Sequence, residues 1–204
     1  MAIAINGTGT ITGISVGGLN DSIITSSELA NAAVTAAKLA AGAGGKILQV
    51  QHSVKLGSQN FNTQTFTDIT DLSVSITPAT NSSKIVILYN VNIGAAANNF
   101  YALNLVRGST NLFTGNGEQS SYPNNTYATF ASVTSYHSEK VDNIAGTYVD
   151  TAHNSGGSAV TYKLQAATPF DSSYVFRVNR PWTTSSLAYI GASSSSIIAM
   201  EVAS

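Results

Sequence analysis

Residues 13–17 read Gly13-Ile14-Ser15-Val16-Gly17, the G-x-S-x-G spacing that lifts a nucleophilic serine onto a strained strand-to-helix turn. That chemistry needs an α/β sheet around the turn, with a histidine and an acid following in the chain. Here the motif sits in a Gly/Thr-rich stretch with no α/β alternation, so it reads as a chance match. Gly7 and Gly9 followed by Gly13 are too widely spaced for a dinucleotide-binding loop, and no helix pattern opens after them. The three histidines, His52, His137 and His153, show no H-x-H or H-x-x-x-H spacing, so no metal site is assigned. A threefold assembly could still gather one histidine from each of three chains on its axis. Acidic neighbours of histidine are confined to Glu139 beside His137 and Asp150 near His153. A glycan-cleaving pair needs two carboxylates about 5–10 Å apart in a groove, and no such pair can be named. The expectation is a chain with no catalytic residues and no cofactor.

Binding chemistry is better represented. Gly115–Thr126 is rich in amides and hydroxyls and is flanked by Phe113 and Tyr127, while Asn179–Thr184 carries the sole tryptophan. Aromatic faces stack on sugar C–H patches, and amides bond to sugar hydroxyls. Tyr122, Asn124, Asn125 and Trp182 are therefore the candidate glycan-binding residues. The competing reading has the same aromatics filling an interface or the edge of the core.

Composition restricts what must position them. Hydrophobic residues are 43 % of the 204, enough for a packed core, yet charged residues are only 9 % and the net charge is −1. An ordinary soluble domain has about 25 % charged residues. Neither a basic field for nucleic acid nor a polybasic membrane patch is present. The absence of cysteine excludes disulfides and thiolate metal sites. No secretory signal and no apolar run of membrane-spanning length is visible, which predicts assembly in a cytoplasm without membrane insertion.

Three zones follow one another. Residues 1–20 alternate Ile3 with Ile5 and Thr8, Thr10 with Thr12 around an Asn6-Gly7 turn signal, predicting an N-terminal β segment. Through residues 21–44 the branched aliphatics continue a spacing of five: Ile14, Leu19, Ile24, Leu29, Val34, Leu39. That period suits neither a strand nor a continuous helix. Thr25-Ser26-Ser27-Glu28 is a capping box, so two short helical pieces are expected. So few aliphatic side chains cannot offset the backbone entropy of ordering this stretch in one chain. The stretch is therefore either flexible or ordered by partner chains; in the second case Ile24, Leu29, Val34 and Leu39 face a common axis, and three chains are the simplest solution.

Residues 45–204 carry strand after strand. Ile47–Gln51 opens the series. Leu72, Val74 and Ile76 alternate with Ser73, Ser75 and Thr77, ending at Pro78. In Lys84–Ile93 the residues Ile85, Ile87, Tyr89, Val91 and Ile93 share one face and Val86 and Leu88 the other, predicting a central strand buried on both sides at its start. Tyr101, Leu103 and Leu105, then Val160, Tyr162 and Leu164, then Tyr174, Phe176 and Val178, and finally Ile198, Met200 and Val202 continue the pattern. The fold class is mainly β: a sandwich or jelly roll over 45–204, after a short trimeric stalk with short helices and the N-terminal β segment.

Several of these stretches resemble phage virion fibres. Ala4–Leu19 is similar to the opening of many marine and cyanobacterial phage virion proteins, and Ile24–Ala40 looks like the repeated stalk units of phage tail fibres. Ser158–Gln165, Val175–Arg180 and Ser196–Ala203 are similar to markers of a fibre-tip module. The resemblance implies a homotrimer that remains in the virion after assembly in the host cytoplasm. Its N-terminus, with Ile3, Ile5, Ile11 and Ile14, docks on another virion protein, and its sandwich tip faces a host surface glycan. The stalk is shorter than in many fibres, which leaves open a tail fibre, or a capsid fibre or decoration protein. A cellular lectin-like or TNF-like module is the remaining alternative; a secretion signal or disulfides would be expected of it.

Overall fold

The computed structural model describes residues 46–96, 99–112, 139–168, 172–183 and 192–204, together with the main chain of 129–133. The chain divides at Gly44/Gly45. The first unit lies outside the described residues, and with it the β segment of 1–20 and the helical stalk of 21–44.

Eleven strands are described: β1 (Ile47–Lys55), β2 (Gln59–Phe61), β3 (Thr67–Ile76), β4 (Lys84–Ala95), β5 (Asn99–Arg107), β6 (Thr110–Asn111), β7 (Thr129–Val133), β8 (Asp142–Asp150), β9 (Val160–Ala167), β10 (Phe176–Val178) and β11 (Ser195–Val202). All pair antiparallel, in two sheets. The first runs β1-β11-β4-β10-β2, with β8 along the other edge of β4; the second runs β3-β9-β5-β6, with β7 also on β5. The molecule is mainly β, in two antiparallel sheets that form a sandwich.

Period-two patterning explains the core. Ile85, Ile87, Val91 and Ile93 of β4 are fully buried against Leu103 and Leu105 of β5 and Tyr162 and Leu164 of β9 in one apolar cluster. In β3, Leu72, Val74 and Ile76 are buried while Ser73 and Ser75 are exposed. A bulge sets that phase: pairing with β9 jumps from Asp68↔Gln165 to Ser73↔Lys163, and Asp71 takes φ 67° within it. Ile69 and Leu72, three positions apart, thereby both reach the core.

Two strands depart from expectation. β4 is central, but Val86 and Leu88 on its second face are only half-buried because nothing among the described residues covers that face. The strand buried on both faces is β5, where Tyr101 through Val106 are all buried. In β11 the core takes Ile197, Ala199 and Glu201, so Ile198, Met200 and Val202 lie half-buried on the outer face.

Buried charge joins elements that the apolar core does not. Asp150, at the end of β8, accepts hydrogen bonds from Arg107 Nη1 at 2.8 Å, Tyr162 Oη at 2.7 Å and the Ala152 amide at 2.9 Å. Arg107 and Tyr162 belong to the second sheet, so this carboxylate ties the two sheets together. Glu201 is fully buried and accepts from Gln49 Nε2 and the Ala79 amide, both at 2.7 Å. Burial raises the pKa of each carboxyl, but the donors outweigh it and hold both below the usual carboxylate range. A depressed folded pKa contributes stability that is complete above the unfolded value and is lost as pH falls through the folded one. Denaturant titrations are therefore expected to give constant stability from about pH 5 to pH 8 and a steep loss below about pH 4. Equal stability at pH 3 and pH 7 would contradict these assignments.

Candidate functional site

The turn after β10 builds the one predicted binding residue that lies within the described part. Asn179 takes φ 64°, a left-handed conformation that asparagine tolerates better than most residues. Its side chain is buried and fully used. Nδ2 donates to the carbonyls of Lys55 at 2.8 Å and Gly57 at 3.2 Å, and Oδ1 accepts from the Ser195 hydroxyl. Its amide donates to the Asn92 carbonyl, at 2.8 Å. Three separate parts of the chain thus fix where the backbone leaves the strand.

From there the backbone crosses directly over Gly94 of β4. A Cβ on Gly94 would meet the Arg180 carbonyl, and the Pro181 Cα at 2.6 Å, so only glycine permits this approach. Pro181, part of the crossing, is buried, and Trp182 follows half-buried.

Arg177 points outward from β10 in register with Asn60 of β2, and its guanidinium carbon lies 5.0 Å from the Trp182 ring centroid. The stack holds the indole in place by a cation–π interaction. Arg177 Nε is buried and has no hydrogen-bond partner among the described residues, so any donor that this side chain offers a ligand is at its guanidinium tip. Asn60 and Arg180 are exposed nearby in sequence and register. The arrangement offers an aromatic plate beside planar N–H donors and an amide, which is chemistry suited to a neutral or acidic sugar.

Tyr122, Asn124 and Asn125 lie outside the described residues, as do the docking residues Ile3, Ile5, Ile11 and Ile14 and the stalk residues Ile24, Leu29, Val34 and Leu39. Gly13–Gly17 and His137 lie outside them too.

Asp150 and His153 do not form a dyad. Asp150 is committed to Arg107, Tyr162 and the Ala152 amide, while His153 Nε2 sits 2.9 Å from the Ser83 carbonyl and Nδ1 accepts from the Ser155 amide at 3.2 Å. Those partners fix the tautomer with the proton on Nε2. His52 is exposed on β1. No cluster of three or more metal-ligating side chains is found among the described residues.

Sequence reasoning selected Trp182 by residue type but assigned no role to Arg177, Asn179 or Gly94. The available signal was local: a strand ending in Asn179 and followed by Arg180-Pro181 marks a turn with a left-handed position. Gly94 carries no local signal, because its requirement comes from a segment more than eighty residues away. No known family model matches the chain, and no curated protein is significantly similar to it.

Proposed function

We propose that this chain is a structural component of a phage virion, a trimeric tail fibre that attaches the particle to the host cell surface by binding glycan and catalyses no reaction. The observation that carries the reading is a conjunction. A fibre-like opening over residues 4–40 precedes an antiparallel sandwich of low charge. Asp150 and Glu201 each accept from fixed protein donors, so these two buried carboxylates serve the fold.

Host binding is assigned to the Trp182–Arg177 plate, with Tyr122, Asn124 and Asn125 as further contacts. One such plate binds weakly. Three chains per fibre and several fibres per particle make each later contact intramolecular, and avidity rises by orders of magnitude. Trp182→Ala is expected to weaken binding of the whole chain to extracted host surface polysaccharide at least tenfold. Circular dichroism of the variant should be unchanged. Binding equal to the unsubstituted chain would remove the plate from the receptor site.

The short stalk supports a second reading, a fibre on the capsid. Gold-labelled antibody against the sandwich, applied to whole particles, separates the two. Label at the tail supports the proposal, label on the head supports the alternative, and unlabelled particles contradict both.

A further inference from the structure

We propose that the outer face of β1, β11, β4 and β8 is the surface on which copies of this sandwich meet one another. The inference rests on the trimeric reading above and adds where in the tip the chains touch.

Register puts outward side chains into rows across the four strands. Val50, Met200, Val86 and Val149 form one row; His52, Ile198, Leu88 and Thr147 the next; Val54, Ser196, Asn90 and Ala145 the third. The first row is apolar from edge to edge. Val50 is 52 % exposed and Val149 46 %, Ile47, Leu48 and Val54 are similarly open, and Leu56, just past the end of β1, is more so. The outer face of the second sheet is different. There Ser73, Ser75, Thr161, Lys163 and Gln165 project, with Ser75 bonded to Thr161 and Asp68 bonded to Lys163 and Gln165. An antiparallel sheet facing water is polar on its wet side, and the β3–β9 part of the second sheet follows that rule.

Three observations select a second copy as the occupant. The first is area. Six large apolar side chains, 44 % to 74 % exposed, leave on the order of 600 Å² open, and the half-buried Val86, Leu88, Ile198, Met200 and Val202 bring the face close to roughly 800 Å², the scale on which stable interfaces are built, divided here between the two neighbours of a ring. The second is charge: the three rows contain no Asp, Glu, Lys or Arg, and Lys84 lies beyond them, paired with Val202 at the margin, so the rows of identical faces meet without repulsion between like charges. The third is covalent. Leu39 and Ile47 are eight positions apart in sequence, so copies joined along residues 24–39 would be tethered to one another by a short length of chain before β1.

The face is also not flat. Small residues at Ala145 and Ser196 leave a depression of about 320 Å³ between Leu88 and Ile198, with Asn90 and Thr147 at its rim. A branched side chain from a neighbouring copy fits such a hollow. Val50 and Val149 stand at opposite ends of one row. A closed ring of three therefore sets the β1 end of one copy against the β8 end of the next, a heterologous contact.

The chain contains no cysteine, which makes the test direct. In the full-length protein, Val50→Cys and Val149→Cys are introduced together and oxidised. Within one chain the two positions are separated by three strand spacings, about 14 Å, too far for an internal disulfide. The expected result is a reducible ladder ending at three chains on a denaturing gel, at least tenfold more intense than for the control Ser75→Cys on the polar face. Cross-linking no greater than the control, with three chains still found by light scattering, would overturn this interface and leave the trimer standing. A wild-type monomer by light scattering would overturn the trimer as well.

Discussion

Asn179→Ala is expected to lower the free energy of unfolding by about 3–5 kcal/mol, the larger of two effects that the buried polar groups predict. Truncation removes both donors to the Lys55 and Gly57 carbonyls and the acceptor for the Ser195 hydroxyl. Lys55 and Ser195 are themselves buried, so water cannot replace the lost partners without opening the structure. Each buried group left without a partner costs about 1–3 kcal/mol. Alanine must in addition hold the φ of 64°, which costs about 1–2 kcal/mol. Asn179→Gly removes that second penalty but not the first, so it should fall between wild type and alanine. Trp182 is the only tryptophan and follows three residues later, so its emission reports directly on the turn. A red-shifted native spectrum is expected for the alanine variant. A wild-type denaturation midpoint would show that the turn does not depend on this side chain.

Asp150→Ala is the second. Its carboxylate is 2 % exposed and its Arg107 partner 20 %, so the pair is shielded from solvent on the acid's side. Removing one member of a buried pair costs about 3–5 kcal/mol, because the other charge stays desolvated; the exposure of Arg107 places the effect at the lower end, about 3 kcal/mol. Tyr162 adds to the loss, since its fully buried hydroxyl donates to the same carboxylate. Asp150→Asn keeps the shape and one acceptor, and should recover roughly half. Both variants should also flatten the acid limb of the stability profile, because a residue that cannot titrate contributes no proton linkage. An unchanged acid limb in Asp150→Asn would move the acid sensitivity elsewhere, with Glu201 the next group to examine.

Much of the sandwich is written plainly in the sequence, and physics separates the readable strands from the rest. Leu72, Val74 and Ile76 alternate with hydroxyl residues because one side of β3 meets the core and the other meets water. Burial on a single side is what gives a strand its period of two. β11 defeats the same reasoning. Ile197-Ile198-Ala199-Met200 is a continuous apolar run, so composition cannot say which residues turn inward. The phase comes from elsewhere, through Glu201 meeting Gln49 and the Ala79 amide on the inner side. Val86 and Leu88 mislead for a related reason. Their bulk suggests burial on both sides of β4, whereas they form part of an exposed apolar face. β8 leaves almost no trace, since Ala145, Gly146 and Thr147 interrupt its pattern; Gly146 is needed where the Tyr89 ring folds across it.

The candidate site was legible only at its most conspicuous member. Trp182 announces itself by residue type. Its setting depends on Asn179 bonding to Lys55 and Gly57, and on the chain crossing Gly94, contacts between positions far apart in sequence. Pairings of that kind are decided by the assembled sheets and leave no local pattern. Asp150 shows the same limit: its nearness to His153 in sequence says nothing of its actual partners, which come from β5 and β9.

Light scattering on the full-length chain in native buffer tests the central claim most directly. The trimeric account predicts about three times the 21.1 kDa of one chain, stable on dilution. A single species at 21.1 kDa across the same range would contradict it.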